Sequence, residues 1–344
     1  MGWVSFPVRV GLKLREGGSV FPCKRVWSSG IYRTRCNHMK KELQEYLPQI
    51  EEIRAGTDQG FSARTLNAEI VRVPVNGTEL PAWIYRPEGA RGKLLATLFN
   101  IHGGGNIAGL PQHDDEFCEF IRQGGIQVIN LSYRLAPEYR FPVNKQDVYE
   151  QIAWFVKNSA RFEIDPDRLA IGGHSMGGNI AAVVCMMAKK SGEFSFRCQI
   201  LDYPILDLAT PLDQRPKVRG QLPAEASQIF DACYCDSDQV MDPYCSPVCA
   251  SVEALQELPP AVIVTAEFDH LAIEGMKYAQ MLSDAGVEVE AKRFSGVCHG
   301  FTIGAYGNFN PNPEAAEIGV NLQSKQEALD MMLNGLRKYC LGAA

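Results

Sequence analysis

In "GGHSMGG", Ser175 stands between Gly173 and Gly177. This GxSxG spacing follows an apolar strand-like run and opens a long apolar helix-like one. A side chain two residues either side of the serine would collide in so sharp a strand-to-helix turn. The glycines therefore let the turn lift the hydroxyl to the strand's C-terminal end, where it can attack an acyl carbonyl. The competing reading is an ordinary glycine-rich turn whose serine only caps the helix. The strand before and the helix after favour the nucleophile.

Such an attack makes the carbonyl oxygen anionic, and a preorganised N–H donor is worth about 3–4 kcal/mol to that anion. "HGGG", residues 102 to 105, is suited to supply donors because glycines leave the approach open. Gly103 and Gly104 are the expected oxyanion amides, with the amide of Met176 as a third at the helix N-terminus. A phosphate-cradling loop is the weaker alternative, since neither GxGxxG nor a Walker Lys-Ser/Thr pair is present. The two stretches "NIHGGGNIAG" and "IGGHSMGGNI" hold eight of the 31 glycines. Both are expected to be backbone shaped around one tetrahedral oxyanion.

A base and its orienting acid should follow in the chain order Ser, Asp/Glu, His. His299 in "SGVCHGF" is the only histidine beyond His270. "TAEFDHLA" offers Asp269 directly after a buried strand, with Glu267 and Glu274 as rivals. His270 is a poor base for an acid that precedes it by one position. Of the others, His38 and His113 read as surface residues, His174 as a flank of the nucleophile, and His102 as a support for the glycine loop.

The elements that would hold these residues alternate. "AEIVRVPV", "PAWIYRP", "LLATLFNIH", "IQVINLSYR", "RLAIGGHS", "FRCQILDYP", "AVIVTAEFD" and "VEVEAKRF" read as strands, several apolar enough for burial on both faces. Between them lie candidate helices around "DDEFCEFIRQ", from about 144 to 158, over "MGGNIAAVVCMMAKK" and over about 315 to 339. Such alternation predicts a mostly parallel sheet with helices on both faces. Residues 208 to 250 interrupt it with Pro, Asp, Cys and helical pieces, which reads as a lid inserted over the strand ends. "MKKELQEYLPQIEEIRA" reads as an amphipathic helical segment broken near Pro48.

With 344 residues and 46% hydrophobic content the chain can bury a large core, and its net charge of −6 argues against a general nucleic-acid binder. No apolar run approaches a membrane span. Eleven cysteines without a small-scaffold framework fit a reducing compartment and a cytoplasmic protein. Cys233, Cys235, Cys245 and Cys249 could offer thiolates to zinc, but their spacings are not those of common zinc sites, so no metal is expected. Residues 1 to 38 carry seven Lys/Arg against one acid, Glu16, a local charge of +6 beside −12 for the rest. Pro7, Gly11, Gly17 and Gly18 interrupt any transit-peptide helix there. A disordered tail or a gene start extended upstream of Met39 is expected.

Together HGGG, "SYRLAPEYRFP", "GHSMGGNIAA", "LPPAVIVTAEFDHL" and "CHGF" resemble the hormone-sensitive-lipase family of α/β-hydrolases over about residues 65 to 340. The resemblance implies a serine carboxylesterase with an eight-stranded sheet, a triad on Ser175, Asp269 and His299, and no cofactor. It also implies a helical cap from residues 39–64 and 208–250 over a catalytic domain of 65–207 and 251–344, and makes a homodimer plausible. Arg134, Glu138 and Asp147 would hold the loop after "INLSYR" by ion pairs. The chain departs from the family pattern where Asn106 replaces an aromatic, His174 and Met176 replace an acid and an alanine, and Ile273 replaces an acid. Asn106 and Met176 are therefore expected in the acyl pocket. The expected reaction is hydrolysis of small, short-chain acyl esters through an acyl-serine. The alternatives are deacetylation of sugars or natural products and, from another class, a catalytically silent small-molecule receptor.

Overall fold

The computed structural model describes residues 41–303 and 312–342. The expected tail, residues 1 to 38, lies outside them. Eight strands form one sheet: β1 (Glu69–Val75), β2 (Thr78–Tyr85), β3 (Leu95–Ile101), β4 (Gln127–Leu131), β5 (Ile164–His174), β6 (Cys198–Asp202), β7 (Ala261–Phe268) and β8 (Val289–Cys298). Their spatial order is β1-β2-β4-β3-β5-β6-β7-β8. β2 runs antiparallel to both β1 and β4, and every later pairing is parallel.

The apolar strand runs are explained by burial on both faces. All residues of β3, β4 and β6 are buried. Successive side chains point to opposite sides, so Leu98, Val128, Ile200 and Val264 enter one core while Phe99, Ile129, Leu201 and Ile263 enter the other. On the second side pack α3 (Val143–Lys157), α4 (Met176–Ser191) and α6 (Ala272–Asp284) through residues such as Val148, Ile180 and Tyr278. On the first lie α2 (Asp115–Gln123) and α7 (Leu322–Leu336), through Phe117, Ile121, Met332 and Leu336.

Local differences from the sequence reading have physical causes. The break near Pro48 falls before it: α1 (Leu47–Asp58) begins there with proline in its first turn, where its missing N–H costs no hydrogen bond. The expected helix over 315 to 339 is divided, because Gly319 (φ +67°) ends the short helix Pro313–Ile318. Asn321 then caps α7 by accepting hydrogen bonds from the amides of Gln323 and Ser324. In the 208–250 segment the main element is α5 (Ala224–Tyr234). Among the described residues no helix is long and apolar enough to cross a membrane, and no group of three or more His, Cys, Asp or Glu side chains could hold a metal ion.

From the pair β3/β5 the chain turns one way to β4 and the other way to β6. This is a switch point, where the loops leaving two adjacent parallel strands diverge and open a crevice at their C-terminal ends. The loop leaving β3 begins with His102 and Gly103, and the loop leaving β5 begins with Ser175.

Candidate active site

Ser175 has φ +56° and ψ −115°, a backbone conformation costing a non-glycine residue about 1–3 kcal/mol, and the surroundings over-determine it. Its N–H donates to Asp202 O at 2.9 Å, and its carbonyl accepts from Asn179 N at 3.2 Å and Ile205 N at 3.3 Å. The flanking glycines are sterically required. A Cβ on Gly173 would lie 2.4 Å from the backbone of Gly177, and one on Gly177 would lie 2.0 Å from Ile101 O. The helix α4 thereby starts hard against the end of β3.

His299 follows β8 and reaches the serine: its Nε2 lies 2.9 Å from Ser175 Oγ, and its Nδ1 lies 2.7 Å from Asp269 Oδ2. Asp269 follows β7 and also accepts from Leu271 N at 3.0 Å. Burial by itself would raise its pKa. The charge and hydrogen bond of His299, with the Leu271 amide, more than offset that and hold the carboxyl below its usual range. The rival acids are committed elsewhere. Glu267 accepts from Gly296 N at 2.7 Å, and buried Glu274 accepts from Leu206 N at 2.8 Å. His270 Nδ1 stands 3.9 Å from Asp269 Oδ1, too far to bond it.

The glycine turn after β3 lies against this elbow. A Cβ on Gly103 would be 3.0 Å from His174 O and 3.3 Å from Ser175 Cβ. Gly104 (φ +113°) has no room for a Cβ, which would fall 2.2 Å from Ala108 O. Its own carbonyl closes the turn by accepting from Ile107 N at 3.2 Å and Ala108 N at 3.0 Å. His102 supports the turn, its ring stacked on Tyr133 and its Nδ1 2.7 Å from Gly103 O. Burial lowers its pKa to about 3, so it is neutral at ordinary pH. Met176 is the first residue of α4, where a helical N–H has no intrahelical acceptor.

A cavity of about 660 Å³, open mouth included, joins these parts. Gly103, Gly104, Ser175 and His299 line it together with Ile53 and Thr57 from α1, and Leu222 and Phe230 from the 208–250 segment. Phe230 sits directly over Gly105, where a Cβ would meet its ring at 2.8 Å.

Three expectations need correction. Asn106 does not line the cavity: it is buried, and its Oδ1 accepts from Asn144 Nδ2 at 2.6 Å, which turns the side chain inward. Met176 does not line it either, being buried in the core that α4 packs against. His113 is a buried residue rather than a surface one. Its Nδ1 accepts from Leu110 N at 3.1 Å, its Nε2 donates to Thr57 O at 2.9 Å, and its ring meets Phe61 edge-on.

In the loop after β4, Arg134 pairs with Asp147 as expected, whereas Glu138 pairs with Arg54 of α1. Sequence reading also missed a second buried histidine–carboxylate pair, His174 Nδ1 and Asp202 Oδ2 at 2.8 Å. An acid ending β6 was the only available signal for it.

A family model of the alpha/beta hydrolase fold matches residues 98–303. An ethyl acetate hydrolase of Pseudomonas putida is 34% identical over 274 residues, 77% of this chain and 80% of that protein. A carboxylesterase of Mycobacterium tuberculosis is 32% identical over 228 residues, 65% of this chain and 72% of that one. Among solved structures, a thermophilic carboxylesterase cloned from a metagenomic library is 31% identical, with a TM-score of 0.70 over 87% of this chain and 97% of its own.

Proposed function

The chain belongs to the hormone-sensitive-lipase-like family of α/β-hydrolases and is a carboxylester hydrolase; from that premise we propose that Ser175 is its nucleophile, His299 its general base and acid, and Asp269 the carboxylate that orients the imidazole. The observation that carries this reading is the position of His299, between Ser175 Oγ at 2.9 Å and Asp269 Oδ2 at 2.7 Å.

In the proposed cycle His299 Nε2 takes the Ser175 proton as Oγ bonds the ester carbonyl carbon. The oxyanion is held by the amides of Gly103, Gly104 and Met176. Collapse breaks the bond to the alcohol oxygen, which receives the proton from Nε2. Water, deprotonated by the same nitrogen, then releases the acid from the acyl-serine. Asp269 holds Nδ1–H toward itself and stabilises the imidazolium formed in each half. The test is Ser175→Ala. It should keep the fold and lose about four or more orders of magnitude in kcat. Substantial residual turnover, with contaminating hydrolase excluded, sinks the assignment.

Residues 39–64 and 208–250 are read as a cap over a catalytic domain of 65–207 and 251–344, supported by the cavity contacts of Ile53, Thr57, Leu222 and Phe230. The substrate is read as a small ester with a short acyl chain. The aromatic ring of Phe230 crowding the oxyanion turn supports this, as does similarity to a protein named an ethyl acetate hydrolase. Rates over p-nitrophenyl esters from acetyl to decanoyl should fall with length, and a flat or rising series removes the reading. A cytoplasmic setting is supported by free thiols at Cys118, Cys185, Cys198, Cys233 and Cys340. A homodimer is the assembly to test by light scattering.

A further inference from the structure

We propose that Arg54, on α1 and remote from the reacting atoms in sequence, is a positioning residue for the oxyanion turn. Arg54 is 9% exposed, and its guanidinium is spent on the backbone behind the site. Nε donates to Ile107 O at 2.7 Å, and Nη2 donates to Ala136 O at 2.8 Å. Nη1 and Nη2 also grip the two carboxylate oxygens of Glu138 at 2.9 and 2.8 Å, a bidentate pairing that fixes the plane of the group.

Each backbone contact leads to the turn that carries Gly103 and Gly104. Ile107 helps close that turn through its N–H to Gly104 O. Ala136 holds it from the other side, donating its N–H to Asn106 O at 2.8 Å. Arg54 thus grasps the turn at Ile107 and steadies the residue that grasps it at Asn106. Glycines have no side chains with which to brace themselves, so the placement of their amides must come from such backbone neighbours. Oxyanion donors act by preorganisation, and a misplacement of about 1 Å can cost 100-fold in rate. Because Ile53 and Thr57 of the same helix line the cavity, the element that walls the site also braces the donors.

The inference rests on the proposed roles of Ser175 and the glycine amides. It is tested with Arg54→Met, Arg54→Lys and Glu138→Gln, and with the double variant Arg54→Met/Glu138→Gln, which leaves no unpaired buried carboxylate if the single variant folds poorly. Turnover is normalised to sites titrated with a fluorophosphonate, so that misfolded protein is not counted. The Arg54→Met variants should lose roughly 10- to 100-fold in kcat with KM changed less than about 3-fold. Affinity for a trifluoromethyl ketone, which forms the tetrahedral oxyanion, should weaken by the same factor as kcat/KM. The pH midpoint of kcat/KM should stay in place, Arg54→Lys should recover part of the loss, and Glu138→Gln should cost much less.

An unchanged kcat per titrated site, or a loss confined to KM or to melting temperature, overturns the proposal. So does a loss in Glu138→Gln equal to that in Arg54→Met. Failure of the underlying site reading looks different: Ser175→Ala would retain turnover, or the fluorophosphonate would label another residue.

Discussion

Two buried histidines flank the nucleophile, and each gives its Nδ1 to a carboxylate: His299 to Asp269 at 2.7 Å and His174 to Asp202 at 2.8 Å. They differ in what the far nitrogen meets. His299 Nε2 faces Ser175 Oγ, whereas His174 Nε2 finds no hydrogen-bond partner among the described residues and lies 3.9 Å from Asp114 Oδ2. Burial would lower the pKa of His174, but the carboxylates of Asp114 and Asp202 outweigh it and raise the value. Asp114, itself pushed up to about 6 by burial, is opposed by His174 and Asn100. A histidine held toward its cation by two acids makes a poor base, and one pointing away from the hydroxyl makes none. The pairing of histidine with acid is common to both; the position of the serine separates them.

Removing each ring should separate the two histidines most strongly. His299→Asn should cost about three or more orders of magnitude in kcat, and His174→Asn no more than about 10-fold. Equal losses in rates per titrated site would erase the distinction. The acids should follow their histidines: Asp269→Asn is expected to lose up to about 10⁴-fold by presenting the wrong tautomer, and Asp202→Asn far less. If Glu267→Gln behaved like Asp269→Asn, the wrong acid was chosen.

Gly104→Ala should lower the plateau of kcat/KM by about 10²–10³-fold without moving its pH midpoint, since the added methyl disturbs donors that do not titrate. A shifted midpoint would tie the turn to proton transfer.

The smallest expected effect is on stability. Because the folded pKa of His174 is raised, its favourable contribution is complete below about pH 6.5 and is lost as pH rises through the folded value. His174→Asn should flatten that alkaline decline, a change of about 1–3 °C in Tm measurable by calorimetry from pH 6 to 9. Asp269 has the opposite sign. Its contribution is complete above about pH 3.8 and is lost as pH falls through its depressed folded value.

The central strands were legible because burial on both faces writes itself as short apolar runs, as in "LLATLFNIH" and "AVIVTAEFD". The glycines around Ser175 were legible because a strand-to-helix turn this sharp demands them by its own geometry, even though most atoms a Cβ would strike belong to Ile101 and His102 at the end of another strand. His113, Glu138 and His174 were not. The partners of the first two lie 56 and 84 residues away on α1, and that of the third lies 28 residues away at the end of β6. Nothing adjacent to those residues announces such contacts. Asn106 was misread because its place beside the glycines suggested the cavity, while its carboxamide is drawn inward by Asn144.

The hydrogen bond between His299 and Ser175 spans 124 residues of chain, and the parallel strands that carry them are joined only through crossovers. Contacts of such long sequence separation form slowly, because loop-closure entropy must be met before they contribute anything. Helices such as α4 need no such wait. On dilution from denaturant, ellipticity should therefore return ahead of esterase activity, and activity becomes a clock for the long-range assembly that brings the loop after β8 to the turn after β5.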